Sequence, residues 1–298
     1  MDSLLDGWLL LRRLLGVSVA VLCLICPARG QAAEELFIDR PIDWLLPADS
    51  PNEANDEEEP LETDRDSFTP ATTVVGRSRF LFETSYSFID NRSTANSHSF
   101  PESLLRYGIT DRIELRLGWN YEIGGGGSVS GTDAPGDDET VPGTIDEANI
   151  LYGLKASLTE QNLWIPQSAV IVQATTPTAG PETPTQLVAG YVCGWKFAND
   201  WTLDSAIRYG AASEEGDSFN QWAPSIVLKV PVHEHWNIHA EYFGIFTDNS
   251  AKNQSAQYFS PGIHYLISSN IEIGCRVGWG LTNDSANFFS NVGLGVRF

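Results

Sequence analysis

The sequence predicts an all-β protein: a transmembrane antiparallel β-barrel of about twelve strands, after a signal peptide and a disordered acidic arm. Three observations carry that expectation. Segments of about ten residues alternate apolar with polar or charged side chains, the period of a strand. Their connections alternate between short turns and longer polar loops. The faces opposite the apolar ones carry Arg, Lys, Glu and Asp at mid-strand, where a soluble β-sandwich would need a polar face turned to water and an apolar core.

Residues 1–33 read as a secretory leader. Arg12 and Arg13 precede the apolar run 14–25, and Ala28, Gly30, Ala32 and Ala33 supply the small residues that cleavage needs. The run falls short of the roughly 20 apolar residues of a spanning helix. Beyond the leader only Cys193 and Cys275 remain, too few for a disulfide framework. The formal net charge is −21; the leader contributes +1 (three Arg, two Asp), so the remainder carries −22, which argues against nucleic acid as a partner. Residues 34–76 are expected to form the acidic periplasmic arm. Within it, residues 34–70 hold 13 acidic side chains against Arg40 and Arg65 and include the run Asp56-Glu57-Glu58-Glu59. Such charge blocks repel, so a flexible spacer is predicted, with a short docking element possible only around Trp44.

The barrel is expected over residues 77–298, with strands near 79–90, 99–108, 112–121, 144–158, 166–176, 184–198, 201–212, 219–231, 236–247, 255–267, 271–281 and 286–298. The clearest is 112–121, where Ile113, Leu115, Leu117, Trp119 and Tyr121 share one face and Arg112, Glu114, Arg116, Gly118 and Asn120 the other. The segment 271–279 repeats it, with Ile271, Ile273, Cys275, Val277 and Trp279 opposite Glu272, Gly274, Arg276 and Gly278. Short connections are expected at 110–111, 159–163, 199–200, 233–235 and 268–270. Longer ones are expected at 91–98, 122–142, 177–183, 213–217, 248–254 and 282–285. That parity puts both ends of the barrel chain on the short-turn side, as in bacterial outer-membrane barrels. Trp201, Trp236 and Phe298 sit beside short turns, and Trp119, Tyr121, Tyr209, Phe246 and Trp279 near the longer loops, so two aromatic girdles are predicted. The last residues, 292–298, alternate and end on Phe298, the signal read by barrel-assembly machinery during insertion.

These residues resemble the outer-membrane transporter family labelled "putative MetA-pathway of phenol degradation". The resemblance rests on residues 101–118 (PESLLRYGITDRIELRLG), 260–274 (SPGIHYLISSNIEIG) and 293–298 (GLGVRF), and covers roughly residues 70–298. It implies an outer-membrane barrel associated with uptake of hydrophobic or aromatic compounds, and supplies no catalytic motif. Where the family often shows a Gln and Asp pair in the second-last strand, this chain has Glu272 and Gly274.

The search for chemistry returns little. No His-x-Ser is present, and His98-Ser99 puts its two side chains on opposite faces of a strand, so an acyl hydrolase is not expected. His233 and His235 fall in a tight turn, away from His239, which argues against a metal cluster. Gly124 to Gly127 lacks the Lys-Ser/Thr of a phosphate loop. Asp133, Asp137, Asp138 and Glu139 match no calcium motif. No cofactor and no metal are expected, and no enzyme activity.

Projection by period two sends Arg79, Arg106, Arg112, Arg116, Lys155, Lys196, Arg208, Lys229, Arg276 and Arg297 inward, with Glu83, Glu102, Glu114, Asp204, Glu241 and Glu272. The lumen is therefore expected to be net positive beneath acidic loops. Either these charges pair across strands and plug the interior, or they form an anion-favouring constriction. The expected solute path is lined by Arg106, Arg112, Glu114, Arg116, Lys155, Asp204, Arg208, His239, Glu241, His264, Glu272 and Arg276. The expected partners are the lipid bilayer, the barrel-assembly machinery and a small solute. The expected function is passive passage of small solutes across the outer membrane. The alternatives are a non-conducting structural or surface-display barrel that presents the 122–142 loop, and a soluble secreted β-sandwich.

Overall fold

The computed structural model describes residues 61–65, 67–125, 129, 145–180, 184–214, 217–248 and 254–298. Twelve strands follow in chain order: β1 (Phe80–Asp90), β2 (Ser97–Gly108), β3 (Ile113–Gly124), β4 (Ile145–Thr159), β5 (Gln167–Ala179), β6 (Gln186–Lys196), β7 (Thr202–Glu214), β8 (Asp217–His233), β9 (Trp236–Asp248), β10 (Ser255–Ser268), β11 (Ile271–Gly280) and β12 (Phe288–Arg297). Each pairs antiparallel with the next, and β1 pairs with β12, so the sheet closes. The seam is completed where the Phe80 amide donates to the Phe298 carbonyl at 2.8 Å and the Phe298 amide to the Phe80 carbonyl at 2.9 Å. Both ends of the barrel chain therefore meet at the short-turn end, as the parity requires. Closure leaves no sheet edge, the condition for a sheet in hydrocarbon.

Alternation makes the wall inside-out. On β3, Leu115, Leu117 and Trp119 face outward and are exposed, while Glu114 and Arg116, which alternate with them, are buried. Tyr152, Leu154, Val172, Leu187, Ile207, Ile226, Ile263, Ile273 and Val292 continue the exposed apolar belt around the barrel. A soluble sandwich would have the opposite polarity, and that class is excluded. Trp201, Trp236 and Phe298 are exposed at the short-turn end, and Trp119, Trp222 and Trp279 toward the loops. Leu163, Trp164 and Ile165 form a further exposed apolar turn at the short-turn end that the sequence reading passed over. A charge on this belt should be costly: Leu117→Arg is expected to lower folding stability by about 2–4 kcal/mol in a bilayer, the range for Arg near the midplane. Urea titration of vesicle-folded protein measures it, and a change under about 0.5 kcal/mol would mean that Leu117 does not face lipid.

Two details depart from the expected boundaries. The connection expected at 213–217 is a tight hairpin, because Ser213 pairs with Ser218 and Glu214 with Asp217. Ladder pairing between β2 and β3 slips between Ser99 and Glu102, around Pro101, which has no amide to donate. The acidic loop residues Asp133, Asp137, Asp138 and Glu139, the leader and residues 34–60 lie outside the described residues.

The main correction concerns residues 61–76, expected as part of a flexible arm. Leu61, Thr63, Asp64, Arg65, Ser67, Phe68, Thr69, Ala71 and Val75 are buried within the barrel. The segment is a hairpin-like insertion from the short-turn end. At its base Leu61 and Val75 cluster with Leu81, and Leu266 packs against them. Gly108 admits the returning limb: a Cβ there would lie 2.1 Å from the Gly76 carbonyl oxygen and 2.4 Å from that of Val75. Two hydrogen bonds tie the limbs, from the Ala71 amide to Asp64 Oδ1 at 2.9 Å and from Thr73 Oγ1 to Glu62 Oε2 at 2.7 Å. The charge-repulsion argument holds for the block ending at Glu59, but residues 67–76 (SFTPATTVVG) carry no charge at all. That stretch costs little to desolvate once its backbone finds partners.

Candidate functional site in the barrel lumen

The interior side chains form two layers around the inserted hairpin. The lower layer, nearer the short-turn end, is ionic. Arg106 on β2 meets Glu114 on β3 through two parallel bonds of 2.9 Å, from Nε to Oε1 and from Nη2 to Oε2. Such fork geometry is the strong form of the Arg–carboxylate pair. The same guanidinium reaches Glu83 on β1 at 3.2 Å and Asp64 at 3.5 Å, and donates to the Glu62 and Thr73 carbonyls. Arg116 bonds Asp64 at 2.5 Å and Glu114 at 2.8 Å, and Lys155 on β4 reaches Asp64 at 3.4 Å. Asp64, carried in by the hairpin, thus faces three strand cations. Burial would raise its carboxyl, but Arg106, Lys155 and Arg116 outweigh burial and hold it well below the usual carboxylate range. A buried Asp without them would not remain ionised; with them it is a fastening point.

Strand carboxylates also cap the hairpin's backbone. Glu83 Oε2 accepts from the Asp64 amide at 2.7 Å and the Arg65 amide at 3.0 Å. Glu114 Oε2 accepts from the Val75 amide at 2.9 Å, and Glu241 on β9 accepts from the Phe68 amide at 2.9 Å and the Thr69 amide at 2.7 Å. An irregular segment inside a barrel must find partners for its amides, and here the lumen charges supply them. Glu241 lies five residues along β9 from Trp236, so the hairpin tip stands roughly 13 Å above the short-turn end, about halfway up an apolar band about 25 Å tall.

The upper layer is aromatic. Phe68 stacks on Phe243 with centroids 4.1 Å apart and an interplanar angle of 12°, and the Arg208 guanidinium of β7 lies 4.0 Å above its other face. Tyr258 and Phe289 extend the cluster, with Ile89, Ala223, Ile245 and Ala256. Arg276 on β11 spans the layers: it bonds Glu241 at 3.3 Å and the carbonyl of Val129 at 2.5 Å. Beside them a polar chain runs from His239 Nδ1 to His264 Nε2 at 2.5 Å, His264 Nδ1 to Glu272 Oε1 at 3.7 Å, and Thr63 Oγ1 to Glu272 Oε1 at 3.1 Å.

Of the residues expected along a solute path, Arg106, Glu114, Arg116, Lys155, Asp204, Arg208, His239, Glu241, His264, Glu272 and Arg276 are buried in the interior. Arg112 is not. It sits in the β2–β3 turn with its side chain 43% exposed, 3.5 Å from Glu160. Arg79 and Lys196 are likewise exposed, and Arg297 bonds Asn270 and Ser269 in the β10–β11 turn. Period-two projection fails at strand ends because both faces of a rim meet water. The net-positive lumen is corrected with them. Among the described residues the fully buried cations are Arg65, Arg106, Arg116, Lys155, Arg208 and Arg276, six in all, against seven carboxylates, Asp64, Glu83, Glu102, Glu114, Asp204, Glu241 and Glu272. His233 and His235 are exposed in their turn. Sequence reasoning missed the hairpin and the aromatic layer; the uncharged run at 67–76 with Phe68 at its start was the available signal.

The family described as "Putative MetA-pathway of phenol degradation" matches residues 63–298, a span that includes the inserted hairpin as well as the barrel. An outer-membrane channel from Pseudomonas putida F1 is similar over 76% of this chain and 98% of its own, at 12% identity and a TM-score of 0.57. The translocator domain of the autotransporter NalP from Neisseria meningitidis aligns over 75% of this chain and 90% of its own, at 9% identity and a TM-score of 0.48. At such identities the first likeness speaks for fold alone and the second carries no argument. A search of curated proteins finds no match.

Proposed function

This chain belongs to that phenol-degradation family of outer-membrane barrels, and from that premise we propose that it is a passive channel for small solutes, hydrophobic and aromatic compounds among them, closed at rest by its own residues 61–76. Its place is the outer membrane, with the apolar belt against lipid. One observation supports the channel reading above all. Beside wall side chains such as Arg106, Phe243 and Phe289, the lumen is filled by a segment outside the strands, residues 61–76, held to the wall by hydrogen bonds to Glu83, Glu114 and Glu241 and by the ion pairs of Asp64. A barrel whose only role was structural would be filled more simply by apolar side chains from the strands. Solute passes when the hairpin shifts, and the lining then includes Arg106, Glu114, Arg116, Lys155, Asp204, Arg208, His239, Glu241, His264, Glu272 and Arg276. Insertion by the barrel-assembly machinery uses the terminal strand and Phe298, whose exposed ring stands 5.9 Å from that of Phe80 at the seam.

The test is solute entry into proteoliposomes. The full chain is expected to speed entry of a small uncharged aromatic well above protein-free vesicles, with no requirement for a gradient of any other solute. Entry at the protein-free rate would favour the structural reading and overturn this one.

A further inference from the structure

The Phe68 ring is sandwiched. Arg208 covers one face at 4.0 Å and Phe243 the other at 4.1 Å. Both walls belong to the barrel, whereas the ring between them belongs to the hairpin. Phe243 is itself backed by Tyr258 at 4.9 Å and 20°, and Phe289 stands 5.9 Å from it. Arg208 and Phe243 are both buried, at 2% and 0% exposure. A guanidinium on one face and a parallel ring on the other is a receptor for a flat π-system, since the cation favours the ring face and the second ring favours offset stacking. An aliphatic side chain of the same volume gains neither.

We propose that the slot between Arg208 and Phe243 is a binding station for single-ring aromatic solutes, and that Phe68 is its tethered occupant at rest. A solute ring and Phe68 then compete for one place, so binding and hairpin displacement are the same event. The neighbouring amides of Phe68 and Thr69 are held by Glu241, so lifting Phe68 from the slot also strains the fastening at the hairpin tip. This deepens the channel reading and rests on it for its physiological meaning, but the station itself is tested by binding alone.

The experiment is calorimetric titration of the purified full chain in detergent with benzyl alcohol and with cyclohexylmethanol, which differ only in the ring. Phe68→Ala vacates the slot and is expected to bind benzyl alcohol roughly five- to thirtyfold more tightly than cyclohexylmethanol. Wild type should bind benzyl alcohol more weakly than Phe68→Ala does, and adding Arg208→Gln should reduce the preference for the aromatic ring to the part that stacking on Phe243 supplies. Phe68→Leu keeps apolar volume for folding and should show the same preference at lower affinity. If both Phe68 variants bind the two alcohols equally, or neither alcohol, the station is overturned. Ring-selective binding without solute entry into proteoliposomes would instead sink the channel reading and leave the station standing.

Discussion

Arg106→Leu is expected to cost about 3–5 kcal/mol, because it removes one partner of a buried ion cluster and leaves the others in place. Glu114 loses both arms of its fork, and Glu83 and Asp64 lose contacts of 3.2 and 3.5 Å. With Arg116 and Lys155 alone facing three carboxylates, the lower layer becomes an excess of buried negative charge. The loss should appear first in the hairpin and only then in the barrel, since Asp64 and the Glu62 and Thr73 carbonyls are hairpin groups. Limited proteolysis reads the first effect as cleavage within residues 61–76, and denaturant titration of the folded barrel reads the second. Adding Glu114→Gln to Arg106→Leu should recover part of the loss, because the uncompensated charge is the larger cost. If Arg106→Leu left both protease resistance and stability unchanged, the ionic layer would not be what fastens the hairpin.

This cluster shows where sequence reasoning succeeded and where it stopped. Period two put Arg106, Glu114, Arg116, Lys155, Glu241 and Arg276 on the inner face, because each lies within a strand and is paired with both neighbouring strands, where one face must be lumen and the other lipid. The same rule misplaced Arg112, which stands at a turn with solvent on both sides. Strand number and the position of the chain ends followed from turn lengths, although the β7–β8 connection was read as a longer loop and is a tight hairpin. The hairpin was hidden for a different reason. Composition argues about a segment in isolation, whereas residues 61–76 are ordered by groups that arrive from six or more strands, and no periodicity in the segment itself records them. Whether the charges paired or stayed open also depended on it. Asp64 and the hairpin amides complete the network, and without them several strand charges would face an empty lumen.

The account's central claim is that residues 61–76 lie against the lumen wall and must move for passage. It can be tested at one pair of positions. A Cβ on Gly295 of β12 would stand 3.8 Å from the Cβ of Thr63, the mean separation across a disulfide. Thr63→Cys with Gly295→Cys, in a chain whose Cys193 and Cys275 are replaced by Ser, is therefore expected to crosslink the ascending limb to the wall on oxidation. The decisive measurement is solute entry through this variant in proteoliposomes before and after reduction. The account predicts entry near the protein-free rate while the disulfide is intact, and recovery to the rate of the uncrosslinked protein once it is reduced. A fully formed crosslink with undiminished entry would contradict it.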